Sequence, residues 1–247
     1  MRVGKFGLVN NFLPYYHLEK EGRYEIVEDS PKNLARMLQS GEIDYAPVPS
    51  FFYLANRDRL EAHSFCVASD GEVYSVVVVS KRKRLDDSPI AVTTKSVTSA
   101  RMLEIIVREK GMINRLVPAD GSFFEMLESY DHALVIGDEA IKARMVFRVV
   151  MDIGEEWREI TGLPAVFGIS ASQRGRGDAR SVDDDLVSSY RKGMETLDEV
   201  VEIASMKFRM PAEFLRVYFS ELVHVAGKRE LRSLDVFEEM CHEHGLL

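Results

Sequence analysis

Four consecutive valines at residues 76–79 limit how this chain can fold. β-branched side chains favour extended backbone, and successive residues of a strand point to opposite faces of a sheet. A strand with no polar face has to be covered on both sides. The run therefore predicts a fully buried strand over residues 72–80, either at the centre of the protein or where the chain crosses between two lobes.

The segments before the valine run alternate between strand and helix patterns. Helix signals include Ser30 before Pro31 as an N-terminal cap and Gly41 as a C-terminal stop. Predicted strands lie at residues 2–9, 24–27, 43–48 and 64–69, and predicted helices follow Pro14, Ser30 and Ser50. Asp70-Gly71 predicts a hairpin turn between two of the strands. The alternation predicts an α/β protein with a mostly parallel sheet covered on both faces.

A second alternating series follows the polar residues 81–88. Its predicted strands are 90–93, 116–117, 133–136, 149–153 and 165–171, with helices at 99–109 and 122–129 and a helical turn at 155–160. After a polar connector over residues 173–181, the pattern is helical to the end, at 183–206, 211–225 and 231–244.

Two such series with a helical tail predict two lobes. We expect lobe 1 to comprise residues 1–82 and 171–247 and lobe 2 to comprise residues 83–170, with the C-terminal helices on lobe 1. Ligands of open α/β sheets bind beyond the carboxyl ends of the strands. The sequence therefore predicts a ligand cleft between the lobes.

Composition excludes several classes of protein. The chain has 32 basic and 40 acidic residues and a net charge of −8, which gives no basic surface for nucleic acid. The basic residues 81–84 form one short run, typical of a solvated connector. No segment approaches the roughly 20 apolar residues that span a bilayer. If Met1 is the native start, the absence of a signal sequence predicts a cytoplasmic protein.

Cofactor and metal motifs are missing. The sequence has no phosphate-binding loop, no dinucleotide fingerprint and no nucleophile elbow. Cys66 and Cys241 form no paired motif, so we expect two reduced thiols. The crowded residues 241–244 (Cys-His-Glu-His) lack zinc-ligand spacing. We therefore predict neither a metal nor an organic cofactor.

Polar residues at predicted strand ends are the candidates for a binding site. Residues 96–99 (Ser-Val-Thr-Ser) open a helix, whose first N–H groups and dipole favour an anion. Ser96, Thr98 and Ser99 are therefore candidates for binding an anionic group of the substrate, although the same pattern also suits a plain helix cap. The turn at Ser50 resembles this arrangement in the other lobe.

There are three further candidates, and two of them each have an alternative role. Asn11 suits either a cleft contact or a turn that tolerates left-handed backbone. Asp138 suits either a general base or a cap for the helix that follows it. Ser75 lies at the start of the valine strand.

A set of motifs resembles the chorismate dehydratase family of the futalosine route to menaquinone. The matching segments are residues 11–14 (Asn-Phe-Leu-Pro), 41–48 (Gly-Glu-Ile-Asp-Tyr-Ala-Pro-Val), 70–76 (Asp-Gly-Glu-Val-Tyr-Ser-Val), 96–99, 136–140 (Ile-Gly-Asp-Glu-Ala), 152–157 (Asp-Ile-Gly-Glu-Glu-Trp) and 161–167 (Thr-Gly-Leu-Pro-Ala-Val-Phe). They occur in the family's order over nearly the whole chain. The resemblance implies the two-lobed fold of type II periplasmic binding proteins.

The resemblance also implies an activity, the loss of water from chorismate to give 3-[(1-carboxyvinyl)oxy]benzoate. It implies that Asn11 and Ser75 act at the reacting ring and that Thr98 and Ser99 hold a carboxylate, with Asp138 acting on the substrate or shaping its loop. The enolpyruvyl carboxylate of the substrate can reach the proton, as is proposed for the family, and the sequence does not fix which group accepts it. Neither a metal nor an organic cofactor is then required.

The sequence departs from the family at two places. Pro49 replaces the usual Ser or Thr, so Ser50 stands one position late, and residues 168–171 around Ser170 lack a bulky aromatic residue. Substrate preference could therefore differ from that of the family. One alternative is a solute-binding protein for a small carboxylic acid. The sister enzyme that makes 1,4-dihydroxy-6-naphthoate is another, but its Ser-Pro-Cys-Pro-Asn-Asp motif is not matched. A homodimer is compatible with the sequence, which does not fix the oligomeric state.

Overall fold

Eleven strands and eleven α-helices form the chain, and the computed structural model describes every residue from Met1 to Leu247. The strands are β1 (Arg2–Phe6), β2 (Glu25–Asp29), β3 (Ala46–Pro49), β4 (Leu60–Ser69), β5 (Val76–Ser80), β6 (Ile90–Thr93), β7 (Leu116–Ala119), β8 (His132–Ile136), β9 (Arg148–Asp152), β10 (Ala165–Gln173) and β11 (Leu222–Val225). The helices are α1 (Phe12–Glu21), α2 (Pro31–Ser40), α3 (Ser50–Ala55), α4 (Val97–Glu109), α5 (Phe123–Ser129), α6 (Gly137–Arg144), α7 (Ile153–Thr161), α8 (Ala179–Glu195), α9 (Leu197–Phe208), α10 (Ala212–Glu221) and α11 (Lys228–Glu243). None of the helices is long and apolar enough to span a membrane.

The chain divides into two compact units, each built from two separate segments. Unit 1 comprises Met1–Ala68 and Val166–Lys228, and unit 2 comprises Ser69–Ala165 and Arg229–Leu247. The predicted lobes had the same discontinuous arrangement, but their boundaries differ from those of the units.

Residues 69–82 belong to unit 2 and not to the first lobe as predicted. The reason is that β5 is hydrogen-bonded between β8 and β9 of the same sheet. The valine run is completely buried there, as its composition predicts.

The last helix is also in unit 2, whereas the prediction placed all C-terminal helices on the first lobe. The buried ring of Trp157 meets Phe237 of α11 edge-on, at 5.5 Å between ring centroids. The indole Nε1 of Trp157 donates to Ser233 Oγ at 3.0 Å, and that hydroxyl donates to the Pro164 carbonyl at 2.5 Å. These contacts fix α11 on α7.

Unit 1 contains two sheets. β1 and β2 pair in parallel, and a single parallel bridge joins Val3 to Tyr45, directly before β3. The second sheet has the order β11-β4-β10-β3, in which β10 runs antiparallel to β3. β11 interrupts a region that the sequence predicts to be entirely helical. The predicted hairpin at Asp70-Gly71 is also wrong, because β4 and β5 lie in different sheets.

Unit 2 contains one five-stranded sheet of order β7-β6-β8-β5-β9. β6 is parallel to β7 and β8, whereas β5 is antiparallel to both of its neighbours. The sheet is therefore mixed, and the predicted mostly parallel arrangement is wrong at this strand. One consequence is that the carboxyl ends of β6, β7, β8 and β9 and the amino end of β5 meet at the same edge.

A buried carboxylate joins four segments of unit 1. Asp183 of α8 accepts hydrogen bonds from the Tyr45 hydroxyl at 2.5 Å and the Ser170 hydroxyl at 3.0 Å. It also accepts the backbone N–H groups of Ser64 at 2.8 Å and Phe65 at 3.0 Å. Burial and the nearby Asp183 charge raise the pKa of Tyr45 well above its usual value. The carboxylate thus ties α8 to strands β4 and β10 and to the start of β3.

We expect the substitution Asp183→Ala to lower the free energy of unfolding by about 3–5 kcal/mol, because several buried donors lose their acceptor together. Chemical denaturation monitored by circular dichroism measures this loss. The control is Asp184→Ala, which removes the exposed neighbouring carboxylate and should change stability by less than about 0.5 kcal/mol. Equal effects of the two substitutions would contradict the central role of Asp183.

His224 of β11 is a neutral imidazole within the core of unit 1. Its Nδ1 lies 2.9 Å from the Cys66 carbonyl oxygen, whereas its Nε2 is buried without a hydrogen-bond partner. The ring stacks on Phe65 at 5.4 Å and meets Tyr190 edge-on at 5.2 Å. Burial lowers the pKa of His224 to about 4.

This imidazole should make stability depend on pH. Between pH 6.5 and 4 the unfolded chain binds a proton at His224 that the folded chain excludes. The free energy of unfolding therefore decreases by about 3 kcal/mol as the pH is lowered from 6.5 to 4, and this contribution is fully present above pH 6.5. We expect His224→Gln to remove this loss, so that the unfolding free energy of the variant falls about 3 kcal/mol less between pH 6.5 and 4. Parallel slopes for the two proteins in urea titrations would contradict the prediction.

Candidate functional site

The edge of unit 1 where β1 and β3 end carries two of the predicted site residues. β1 and β3 run in the same direction, as the parallel bridge between Val3 and Tyr45 shows. Asn11 follows β1 and Ser50 follows β3, so both residues lie at the carboxyl ends of parallel strands. Small ligands of α/β proteins bind at such edges.

Asn11 is completely buried in a short 3-10 turn, Val9–Asn11. Its Oδ1 accepts the Phe6 N–H at 3.1 Å, and its Nδ2 donates to Asn10 Oδ1 at 3.3 Å. The sequence suited Asn11 to either a turn or a cleft contact, and these bonds show that its side chain stabilises the turn. An amide has two donors and two acceptor sites, so these two bonds do not use its full capacity.

The hydroxyl of Ser50 is committed to the protein backbone. Ser50 is the first residue of α3 and is fully buried, and its Oγ donates to the Val166 carbonyl at 2.6 Å. A serine hydroxyl has one proton. In this conformation a carboxylate contact at Ser50 therefore rests on its backbone N–H.

The second departure from the family pattern lies in the core. Ser170 donates to Asp183, and its neighbours Ile169 and Ala171 are fully buried. Gly168 lies nearer the edge, where a Cβ atom would stand 3.2 Å from the Val48 carbonyl oxygen and 3.3 Å from the Phe6 ring. Glycine at this position lets β10 pass close to both strands.

Unit 2 gathers the remaining predicted residues at one edge of its sheet, which we call the unit 2 edge and define by Ser75, Ser96, Gly137 and Asp152. Ser75 immediately precedes β5, and its carbonyl accepts the Gly137 N–H at 2.7 Å. Asp138 follows Gly137 directly. The antiparallel direction of β5 is what brings Ser75 beside the end of β8.

Ser96 caps α4. Its Oγ accepts the Ser99 N–H at 3.2 Å, and the two hydroxyl groups lie 2.9 Å apart. The cap interpretation of this segment is therefore confirmed. Thr98 and Ser99 are almost completely buried. The first N–H groups of α4 also carry the positive end of the helix dipole, which favours an anion.

Asp138 does not cap the helix that follows, so that alternative is wrong. The N-cap position of α6 is Ile136, and Asp138 is the second residue of the helix and half-buried. A carboxylate in the first helical turn is stabilised by the helix dipole.

Asp152 was not among the site residues predicted from the sequence, although it is the first residue of the family segment 152–157. Its carboxylate accepts the N–H groups of Gly154 at 2.9 Å and Glu155 at 3.3 Å, which caps α7. It also accepts the N–H groups of Val73 at 3.0 Å and Tyr74 at 2.9 Å. Burial raises the pKa of Asp152, while these hydrogen bonds act in the opposite direction. An aspartate after a strand with a glutamate three residues later is a helix-start signal.

Gly154 allows this close approach. A Cβ atom on Gly154 would stand 2.3 Å from the Gly71 carbonyl oxygen and 2.4 Å from Ser69 Oγ. Only glycine fits against the segment that leads to Ser75.

Three helices of eight or more residues, α4, α6 and α7, begin at the unit 2 edge. The N-termini of α4 and α6 direct backbone N–H groups and partial positive charge toward it, whereas the Asp152 carboxylate already accepts the first N–H groups of α7. Neutral hydroxyl groups and helix N-termini together can bind an anion without arginine side chains.

The thiols and the C-terminal histidines form no site. Neither Cys66 nor Cys241 is in a disulfide, as the sequence predicts, and both are buried; burial raises the pKa of Cys241 to about 12. The chain contains no group of three or more His, Cys, Asp or Glu side chains placed to hold a metal ion.

Solved structures place the fold among the periplasmic binding proteins. The periplasmic aliphatic sulphonate binding protein SsuA of Escherichia coli has a TM-score of 0.72 at 12% identity, covering all of this chain and 88% of that one. A structural-genomics protein of Archaeoglobus fulgidus has a TM-score of 0.80 at 22% identity, covering 100% and 98% of the two chains. These similarities confirm the predicted class of fold.

Sequence comparison identifies the family. Residues 1–243 match a family described as menaquinone biosynthesis. The chorismate dehydratase of Thermus thermophilus is 30% identical, over 93% of this chain and 91% of its own length. The chain therefore belongs to the chorismate dehydratase family of menaquinone biosynthesis.

Proposed function

We propose that this chain removes water from chorismate to give 3-[(1-carboxyvinyl)oxy]benzoate, as a lyase of menaquinone biosynthesis. The observation that carries the proposal is the 30% identity with a chorismate dehydratase along 93% of the chain, within a menaquinone-biosynthesis family. The helix N-termini and neutral hydroxyl groups at the unit 2 edge suit a substrate with two carboxylates.

The reaction needs little from the protein beyond positioning. The C3 proton is removed, the C3–H electron pair forms a ring double bond, and the C4–O bond breaks to release the hydroxyl group, which leaves as water. Conjugation with the ring carboxylate acidifies the proton, and the product ring is aromatic. The enolpyruvyl carboxylate of the substrate takes the C3 proton and passes it to the departing hydroxyl group, which leaves as water while the carboxylate is regenerated. No electrons are gained or lost overall, so no redox partner is involved. Holding this reactive conformation supplies most of the barrier reduction.

We assign the substrate contacts to the site residues predicted from the sequence. Asn11 orients the enolpyruvyl group or the departing hydroxyl group. The Ser75 hydroxyl, which donates to the Val73 carbonyl at 3.3 Å, contacts the substrate through its oxygen near the reacting ring. The N-terminus of α4, with Ser96, Thr98 and Ser99, holds one carboxylate. The backbone N–H of Ser50 contacts the other, since the Ser50 hydroxyl is committed to Val166. Asp138 shapes the loop beside Ser75.

A direct assay tests the activity. Purified protein is incubated with chorismate, and product formation is followed by the new aromatic absorbance and by mass spectrometry, which should show the loss of one water. Heat-denatured protein gives the spontaneous rate. Chorismate binding in calorimetry without any product would contradict the proposal and favour the solute-binding alternative.

Matched serine variants test the site. We expect Ser75→Ala to lower kcat about tenfold or more, because it removes a hydroxyl group that we assign to the reacting ring. Ser80→Ala is the control, since Ser80 is equally buried at the opposite end of β5. Asn11→Asp keeps the acceptor for the Phe6 N–H but removes both N–H donors, and it should lower kcat. Its Tm is measured alongside, because a buried carboxylate beside Asn10 Oδ1 also destabilises the fold. Unchanged kcat in both site variants would contradict the assignment.

A further inference from the structure

The residue before Ser75 has an unusual backbone. Tyr74 has φ of 63°, in the left-handed region, and it is one of only two non-glycine residues of the chain with positive φ. Bulky residues adopt this strained conformation only where their surroundings impose it. Ser75 follows directly, so the conformation of Tyr74 sets the direction in which Ser75 leaves the turn.

We infer that Asp152 is a positioning residue for catalysis, which holds Tyr74 in this conformation and thereby fixes Ser75 at the unit 2 edge. The inference rests on the proposed function, because it assigns a task to a residue that does not itself touch the reacting atoms.

The two oxygens of the Asp152 carboxylate have different partners. Oδ1 accepts the N–H groups of Val73, Gly154 and Glu155, whereas Oδ2 accepts the N–H of Tyr74 at 2.9 Å. Oδ1 therefore caps α7 and binds the backbone at Val73, while Oδ2 binds the backbone of Tyr74, the residue with positive φ.

The remaining contacts of the turn complete the restraint. Arg144 donates from Nη1 to the Tyr74 carbonyl at 3.2 Å, and its guanidinium lies 4.7 Å from the centre of the Tyr74 ring. The Ser75 N–H donates to the Val73 carbonyl at 2.7 Å, and the Ser75 carbonyl accepts the Gly137 N–H. Tyr74 is thus held at its N–H, its carbonyl and its ring, and Asp152 supplies the only charged acceptor among these contacts.

The substitution Asp152→Asn separates the two oxygens. The asparagine retains the three bonds at Oδ1 when its oxygen occupies that position, which places its NH₂ group against the Tyr74 N–H, where two donors face each other. The opposite orientation would lose three hydrogen bonds to keep one. The variant therefore keeps the α7 cap and removes the restraint on Tyr74.

A double-mutant cycle tests the inference with chorismate as substrate. We expect Asp152→Asn to lower kcat about tenfold in the otherwise unaltered protein, with a smaller change in KM. In the Ser75→Ala background the same substitution should cost less than about twofold, because the hydroxyl that it positions is absent. Ser30→Ala, which removes the cap of α2 in unit 1, is the stability control and should leave kcat unchanged.

Amide hydrogen exchange provides a readout independent of turnover. Asp152→Asn should accelerate exchange of the Tyr74 N–H at least tenfold and leave the Gly154 N–H protected. Equal losses of kcat in both backgrounds, or unchanged protection at Tyr74, would overturn the inference while the unaltered protein still turns over chorismate. An unaltered protein that produces no product would instead overturn the proposed function itself.

Discussion

The direction of β5 determines what lies at the unit 2 edge. Its four valines must be covered on both faces, and the interior position between β8 and β9 satisfies this requirement. Because β5 runs antiparallel to both neighbours, its beginning meets their ends. Ser75 therefore lies beside Gly137, at the edge where α4, α6 and α7 begin. With β5 reversed, Ser75 would lie at the opposite edge of the sheet, far from these helix N-termini.

Each unit contains one buried carboxylate that serves as a multiple acceptor for segments distant in sequence. Asp183 receives N–H and hydroxyl donors from two strands and a tyrosine, and Asp152 receives four backbone N–H groups. A charged acceptor forms stronger hydrogen bonds than a neutral one, which offsets part of the cost of its burial. The two carboxylates differ in position, since Asp183 lies within the core of unit 1 and Asp152 lies at the edge that carries Ser75.

Local sequence patterns predicted most helices and strands correctly. The features that were not predicted depend on contacts between residues far apart in the sequence. The Ser30 cap, the Ser96 cap and the buried valine strand depend on neighbouring residues, so the sequence reveals them. The unit to which α11 belongs depends on the contact of Trp157 with Phe237, which are far apart along the chain.

The same distinction holds for the candidate site. The helix-start signal at residues 96–99 and the motif around Ser75 were visible in the sequence. Two hydrogen bonds were not visible in the sequence: that of the Ser50 hydroxyl to the Val166 carbonyl and that of the Tyr74 N–H to Asp152. Each joins segments about 80 residues apart or more. No local pattern of side chains records such a pairing.

The interleaved segments of the two units have a consequence for synthesis on the ribosome. Unit 1 lacks β10, β11 and three helices until residue 228 has been made, and unit 2 lacks the cover over Trp157 until α11 emerges. Since chains grow from the N-terminus, neither unit can complete its hydrophobic core until its second segment has been synthesised. The nascent protein therefore carries an open apolar surface at Trp157 from the synthesis of that residue until Phe237 follows it, 80 residues later (237 − 157), which makes it a candidate client of chaperones that bind at the exit tunnel.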